Sequence, residues 1–348
     1  MTTRQENFHR MSLLMARLAR DWRWWLGGFL LLLGGFGLIW CLVLRRTLED
    51  ISPFFRMLAS QSGLGSRDIE SVVFDGPGKM LRTLIGGDRI SLENAMDVLS
   101  IALVHPLAVG LLGLWAIGRG TALLGELDRG TLELLLSQPV SRRLVNLSHL
   151  LFDMAAWPLL ALALSGGLAI GAWWIHPIRE KPVAPELLKK MEAAKPWWLR
   201  LGLLETSKPT KGRPFSERMH LAPPDFLKAA PAVAALGFAL SGITYAVSSF
   251  GRSRIQVLGI LSAALFLMYL ANLLAQLFEP MGWVRPLTVF YYYRPQELVL
   301  GRMDLIALTE WGIVHPVVPA SLVLVAVGLA GYRVGSCQME RRDLPVPL

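Results

Sequence analysis

Six apolar runs of about membrane-crossing length divide the chain, and its charges collect between them. The runs extend from Trp25 to Leu44, Val98 to Gly118, Leu144 to Ile175, Ala229 to Phe250, Ile255 to Phe278 and Ile313 to Tyr332. At a rise of about 1.5 Å per residue, some 20 residues cross a hydrocarbon core of about 30 Å. The alternation of a half-buried strand is absent, and backbone groups in lipid are satisfied within a helix, so the pattern predicts six transmembrane helices. The third run is long enough to tilt or to project into water. Ahead of the first run, Met11, Leu14, Met15, Leu18, Trp22 and Trp25 recur at helical spacing while Arg10, Arg17 and Asp21 lie on other faces. That spacing predicts an interfacial helix over residues 1–24, with Trp22, Trp24 and Trp25 at headgroup depth. No small-residue cleavage site follows this Arg-rich leader, so it reads as retained and not as a secretory signal. The expected fold class is an all-α integral membrane protein: the interfacial helix at 1–24, then one six-span domain over 25–348 with sizeable outer loops.

Composition agrees with this pattern. A mean hydropathy of +0.45 with only 18% charged residues is too apolar for an ordinary soluble domain. The net charge is +9. Arg residues fall in the leader (Arg4, Arg10, Arg17, Arg20, Arg23), the second loop (Arg119, Arg129, Arg142, Arg143), the tight fourth loop (Arg252, Arg254) and the tail (Arg333, Arg341, Arg342). The long segment that holds Lys189, Lys190, Lys208 and Lys211 weighs little, because long loops translocate with little regard to charge. Both termini are therefore expected in the cytoplasm. The basic residues lie beside spans, where membrane lipid is the nearer partner, and they do not argue for nucleic acid. On the outer side fall residues 45–97, 176–228 and 279–312, expected to form a small cap, since a plain connector rarely needs about 50 residues. Within the last of these, Tyr291, Tyr292 and Tyr293 read as an interfacial belt.

Catalytic and nucleotide-binding motifs do not occur. "DGPGKM" at Asp75 to Met80 lacks the first Gly and the hydroxyl of a phosphate-binding loop, and HExxH, GxSxG, CxxC and GxGxxG patterns are absent. Cys41 and Cys337 have no disulfide or metal spacing, the six His are scattered, and no metal site or catalytic group is expected. His149 and Asp153 stand four apart in the third span. A carboxylate there costs about 2.5–3.5 kcal/mol on insertion scales and should face protein or water. Two readings follow, a proton relay or a wet pair near the cytoplasmic end, and the second is favoured. Ser241, Thr244, Tyr245 and Asn272 are candidate linings of a transport path.

The loop over 119–143 is too patterned for a linker. A helix-forming start leads to Gly130, then to a ridge of Leu132, Leu135 and Leu136, and Pro139 stops it. Ser141 is placed to cap the next helix. The product is a short helix across the membrane face, oriented by Glu126, Asp128, Arg129 and Glu133, whose apolar side calls for a partner.

These same residues carry a resemblance. "GELDRGTLELLLSQPVSRRLV" from Gly125 and "ERRDLPV" from Glu340 resemble the cytoplasmic loop and tail of ABC-2 type permeases, the membrane subunits of ATP-binding-cassette transporters, and the six-span plan with a leading helix is similar too. The resemblance implies that the loop is a coupling helix that docks on a separate ATPase subunit, with Glu126, Arg129, Gly130, Thr131, Leu132, Glu133, Leu135, Leu136, Ser137, Pro139, Ser141 and Arg142 as its coupling residues. It further implies a second permease subunit, identical or not, and ATP with Mg bound only by the ATPase, in the plasma membrane of a prokaryote. The large outer segments favour the branch resembling the permease of nitrous-oxide-reductase maturation. The expected activity is ATP-driven movement of a substrate, with export the expected direction. The alternative is an ATPase-driven mechanical or maturation component without bulk solute flux.

Overall fold

The computed structural model describes residues 3–62, 94–178, 186, 220–307 and 317–342. Helix α1 runs unbroken over Thr3–Ser62. The expected boundary between an interfacial helix at 1–24 and a separate first span is absent, and no proline stands there to interrupt the helix. The glycine pair Gly27 and Gly28 does not break the helix either, since backbone at membrane depth must keep its internal hydrogen bonds. The second span is split into α2 (Ala95–Val104) and α3 (Pro106–Gly120). Pro106 lacks an N–H, and the His105 ring accepts the N–H of Leu107 at 3.2 Å to start α3.

Two short helices follow, α4 (Ala122–Asp128) and α5 (Thr131–Leu136). The third span is α6 (Arg142–Ile175), capped as expected by Ser141, whose hydroxyl accepts the N–H of Leu144 at 3.2 Å. A 3₁₀ turn over Pro223–Ala229 leads into α7 (Ala230–Phe250), and α8 spans Arg254–Leu277. Two 3₁₀ segments, Glu279–Leu287 and Val289–Tyr292, and the short α9 (Pro295–Val299) precede a two-stranded antiparallel ribbon, β1 (Leu305–Ala307) with β2 (Val317–Pro319). The last span, α10, covers Ala320–Arg341. It begins later than the apolar run from Ile313 suggested, because Val317–Pro319 is strand and Pro319 precedes the helix. Among the described residues, six helical stretches are long and apolar enough to cross a membrane.

Small residues set the packing. A Cβ on Gly167 would lie 2.1 Å from the carbonyl oxygen of Gly34, and one on Gly37 would lie 2.8 Å from that of Leu164, so α1 and α6 touch backbone to backbone. Gly242 meets Gly328 and Gly331 in the same way between α7 and α10. Helix α7 is the axis of the bundle and packs on α3, α6 and α10, while α8 lies at its periphery.

The segment after α8 folds back onto the span ends. Tyr293 and Tyr291 are buried, and the Tyr293 hydroxyl donates to the carbonyl of Leu103 at 2.7 Å, one of the α2 carbonyls left open by the break at Pro106. The two tyrosines are therefore packing and anchoring groups and not an interfacial belt. Asp304 accepts from the backbone N–H of Ser321 at 3.0 Å and so caps α10 from a distance. The outer segments before α2 and before α7 lie largely outside the described residues.

Candidate functional site

The segment between α3 and α6 is fastened at both ends to other parts of the chain. Helix α4 continues α3 after a single turn residue, Thr121, whose hydroxyl donates to the carbonyl of Ile117 at 2.8 Å. Gly130 takes φ +69°, a left-handed conformation suited to glycine, and separates α4 from α5. Thr131 closes the corner by donating to the carbonyl of Glu126 at 3.1 Å.

Three contacts then tie the segment to distant elements. Glu126 is buried and pairs with Arg17 of α1 at 3.2 Å. Asp128 accepts the backbone N–H of Arg254 at 2.7 Å, holding the first turn of α8, and the carbonyl of Pro139 accepts from Arg10 at 2.6 Å. At the far end, Arg142 donates to the carbonyl of Arg342 at 2.6 Å and to those of Met339 and Glu340 at 3.4 Å, and Arg143 pairs with Glu340 at 3.2 Å. Leader, loop and tail are thus clasped together on one face. The segment reaches the first span through Arg17, the second by continuity and the fifth through Asp128.

Two readings of this loop change. Glu126 was expected to orient the short helix and to serve in coupling to a partner, but it is buried against Arg17 within the chain. The ridge of Leu132, Leu135 and Leu136 was expected to await a partner, but Leu132 is fully covered and the other two are half-buried on the chain's own core. A short helix at a membrane face buries its apolar side on the nearest apolar surface, here its own bundle. What α5 leaves outward is Leu134, 72% exposed, with Ser137, Gln138 and Pro139 beyond it. Glu133 is half-buried and makes no ion pair among the described residues.

Next to this segment lies a buried charged node. Arg119, the penultimate residue of α3, is 1% exposed and forms an ion pair of 2.6 Å with Asp153 of α6. Its guanidinium lies 4.7 Å from the ring centroid of Trp22 and 4.5 Å from that of Phe152. His149 approaches it at 3.4 Å. The other Asp153 oxygen accepts from the hydroxyl of Tyr332 in α10. Tyr332 in turn stacks on Phe238 and Tyr245 of α7, at 5.4 and 5.2 Å. Five of the six spans meet here. His149 and Asp153 are therefore not a wet pair, since both are buried and a cation compensates the carboxylate. Arg119 went unrecognised because a basic residue at the end of an apolar run reads as loop. The available signal was its opposite sign to Asp153 across the same loop.

The candidate path residues also lie inside the bundle. Ser241 accepts from the indole of Trp157 at 3.0 Å, and Thr244 donates to the carbonyl of Ala116 at 2.9 Å. Tyr245 donates to Asn146 at 2.8 Å, and Asn272 accepts from Thr288 at 3.3 Å. All four are buried, and each makes a hydrogen bond within the subunit that ties two parts of the bundle together. The described residues contain no cluster of ligands able to hold a metal.

Residues 15–178 match the family described as ABC-2 family transporter protein. Over these residues the chain is similar to the ABC-2 family transporter proteins. The ABC-2 region takes in most of α1 and all of α2 to α6, including the clasped segment and both charges of the node. With six helices among the described residues able to span, the protein is a multi-pass membrane protein, and the match supports a permease component of an ABC transporter. No curated protein matches the chain.

Proposed function

We propose that this chain is the membrane subunit of an ATP-binding-cassette exporter and that residues 119–143 receive the stroke of a separate ATPase subunit, which binds ATP and Mg. The supporting observation is the fastening of that segment to the first, second and fifth spans through Glu126, Thr121 and Asp128. A push on α5 is passed into the bundle instead of being absorbed by a slack loop. The docking surface is the outward side of α5, Leu134 to Pro139 with Glu133 and Arg129 at its edge. The remaining coupling residues, Gly130, Thr131, Leu132, Leu135, Leu136, Ser141 and Arg142, hold that surface in place from behind.

Closure of the ATPase dimer on ATP shifts α5, and the Arg119 node carries the shift to α6 and α10, which changes access to a path between two permease subunits. A path between subunits fits the burial of Ser241, Thr244, Tyr245 and Asn272 inside one. Both termini lie in the cytoplasm, on the clasped face, in the plasma membrane of a prokaryote. The large outer segments fit the branch similar to the nitrous-oxide-reductase maturation permease.

A mild-detergent pull-down of the tagged chain from its native membrane, with mass spectrometry, tests this reading. A soluble subunit with a phosphate-binding loop is expected, and its recovery drops on Glu133→Arg or Leu134→Asp while expression is intact. Recovery of the chain with membrane partners only, or an ATPase that stays bound in both variants, overturns it.

A further inference from the structure

A cavity of about 650 Å³ opens between α1, α3, the α4–α5 corner and the start of α8, and it shares Glu126, Arg129 and Thr131 with the segment described above. Its lining changes character along its length. At one end stand Trp25, Phe29 and Leu114, within the apolar runs, and Trp25 and Leu114 are 64% and 59% exposed on the outside of the bundle. At the other end stand Arg17, Arg129 and Arg254 at the membrane face. From Leu114 to Glu126 the wall runs along α3 and α4, about 18 Å at helical rise. The volume falls in the range of ligand sites.

The charges at the polar end do not cancel. Asp21 and Glu126 also line the cavity, but both pair with Arg17, at 3.6 and 3.2 Å. Arg129 and Arg254 form no ion pair among the described residues, and the Arg254 Nε is buried with no hydrogen-bond partner. The Arg254 side chain lies against Gly125, where a Cβ would come within 2.8 Å of it, so the guanidinium is held at the cavity wall by the bare glycine surface. A slot with aromatic walls at membrane depth, a lateral opening and unmatched guanidinium groups at the surface has the polarity profile of one chemical class.

We propose that this cavity binds a single anionic amphiphile, a phosphate-bearing membrane lipid, with its phosphate on Arg129 and Arg254 and its acyl chain along Phe29 and Leu114. A free soluble anion makes no use of the aromatic end, and a zwitterionic lipid gains less from the two arginines. Seated there, the lipid touches α1, the α4–α5 corner and α8 together, so occupancy stiffens the corner that carries α5.

The test uses the purified full chain, stripped of lipid in detergent and offered an equimolar mixture of phosphatidylglycerol and phosphatidylcholine with identical acyl chains, with bound lipid read by native mass spectrometry. Each basic side chain near a membrane surface is worth roughly fivefold for an anionic lipid, and with three arginines against two carboxylates in the lining a preference of roughly fivefold is expected. The preference is expected to vanish in Arg129→Gln/Arg254→Gln and to persist in Arg20→Gln/Arg23→Gln, which removes two charges from the same face away from the cavity. Leu114→Trp, which leaves every charge in place and fills the apolar end, is expected to abolish retention of lipid, and inorganic phosphate alone is expected not to displace it. Equal loss in both arginine pairs means diffuse surface attraction and overturns the proposal. So does retention in Leu114→Trp, or displacement by inorganic phosphate, which marks a site for the free anion. The measurement needs no ATPase, so its outcome is independent of the docking reading above.

Discussion

Replacing Asp153 by Asn leaves the shape of the side chain and removes its charge, stranding the Arg119 guanidinium in the bundle. That guanidinium is 1% exposed, already has one nitrogen, Nη1, without a partner, and is enclosed by Trp22 and Phe152. Breaking a buried pair by removing one partner costs about 3–5 kcal/mol, because the remaining charge has neither water nor counter-ion. At about 2 °C or more per kcal/mol, the unfolding midpoint falls by on the order of 6–10 °C. The two cysteines provide the assay: Cys41 is buried and Cys337 exposed, so in a Cys337→Ser background a thiol-reactive dye reports the opening of the α1–α6 seam during a thermal ramp in detergent. The double variant Arg119→Met/Asp153→Leu removes both charges and is expected to recover most of the loss, since apolar replacement of a whole buried pair is often neutral. A midpoint unchanged in Asp153→Asn, or a double variant no better than the single one, refutes the view that the node is a dry, mutually dependent ion pair.

The remaining predictions use other contacts. Gly167→Ala places a methyl group against the Gly34 carbonyl and is expected to lower the thermal midpoint clearly, whereas Gly166→Ala, with nothing within 4 Å, is expected to be neutral or to stabilise by up to about 1 kcal/mol. Equal effects on the same thermal ramp refute the close seam. Tyr293→Phe removes the donor to Leu103 and should cost about 1–3 kcal/mol, seen as faster hydrogen exchange over residues 279–307 with the remaining spans unchanged. Arg142→Ala releases the carbonyls of Met339, Glu340 and Arg342, and limited trypsinolysis should then cut sooner at Arg341 and Arg342. An unchanged cleavage rate means that the tail is held by other contacts.

The spans were legible because lipid imposes one demand on every residue of a crossing helix, and a run such as Ile255 to Phe278 answers it directly, ending within one residue of α8. The cap at Ser141 was legible for a local reason, a hydroxyl three residues before the N–H that it accepts. Positions inside the bundle were not. In a soluble helix the polar face marks the outside, but in lipid both faces of α7 are apolar, so nothing in the local pattern says whether Ser241 or Thr244 looks toward a partner or toward Trp157 and Ala116. Arg119 was hidden by the same uniformity, because hydropathy ends a span at its first charge and assigns the charge to water. The ridge of Leu132, Leu135 and Leu136 showed that α5 buries a face, but the choice between its own bundle and another protein is made by elements far away in the chain. The leader failed for a different reason: amphipathic spacing fits a helix on the membrane and a helix passing into it equally well, and only continuity of the backbone separates the two.

The unbroken α1 has a geometric consequence. Its contacts with the loop fall near Arg10 and Arg17, and its tight crossing with α6 falls at Gly34 and Gly37. The crossing is about 30 Å of helix from the loop contacts, and a further arm of about 40 Å runs on to Ser62. Arms of similar length on either side of a tight crossing make a seesaw. A tilt of a few degrees about the glycine seam moves the two ends in opposite directions by comparable amounts, and one end responds to the other without any helix having to slide along the membrane normal.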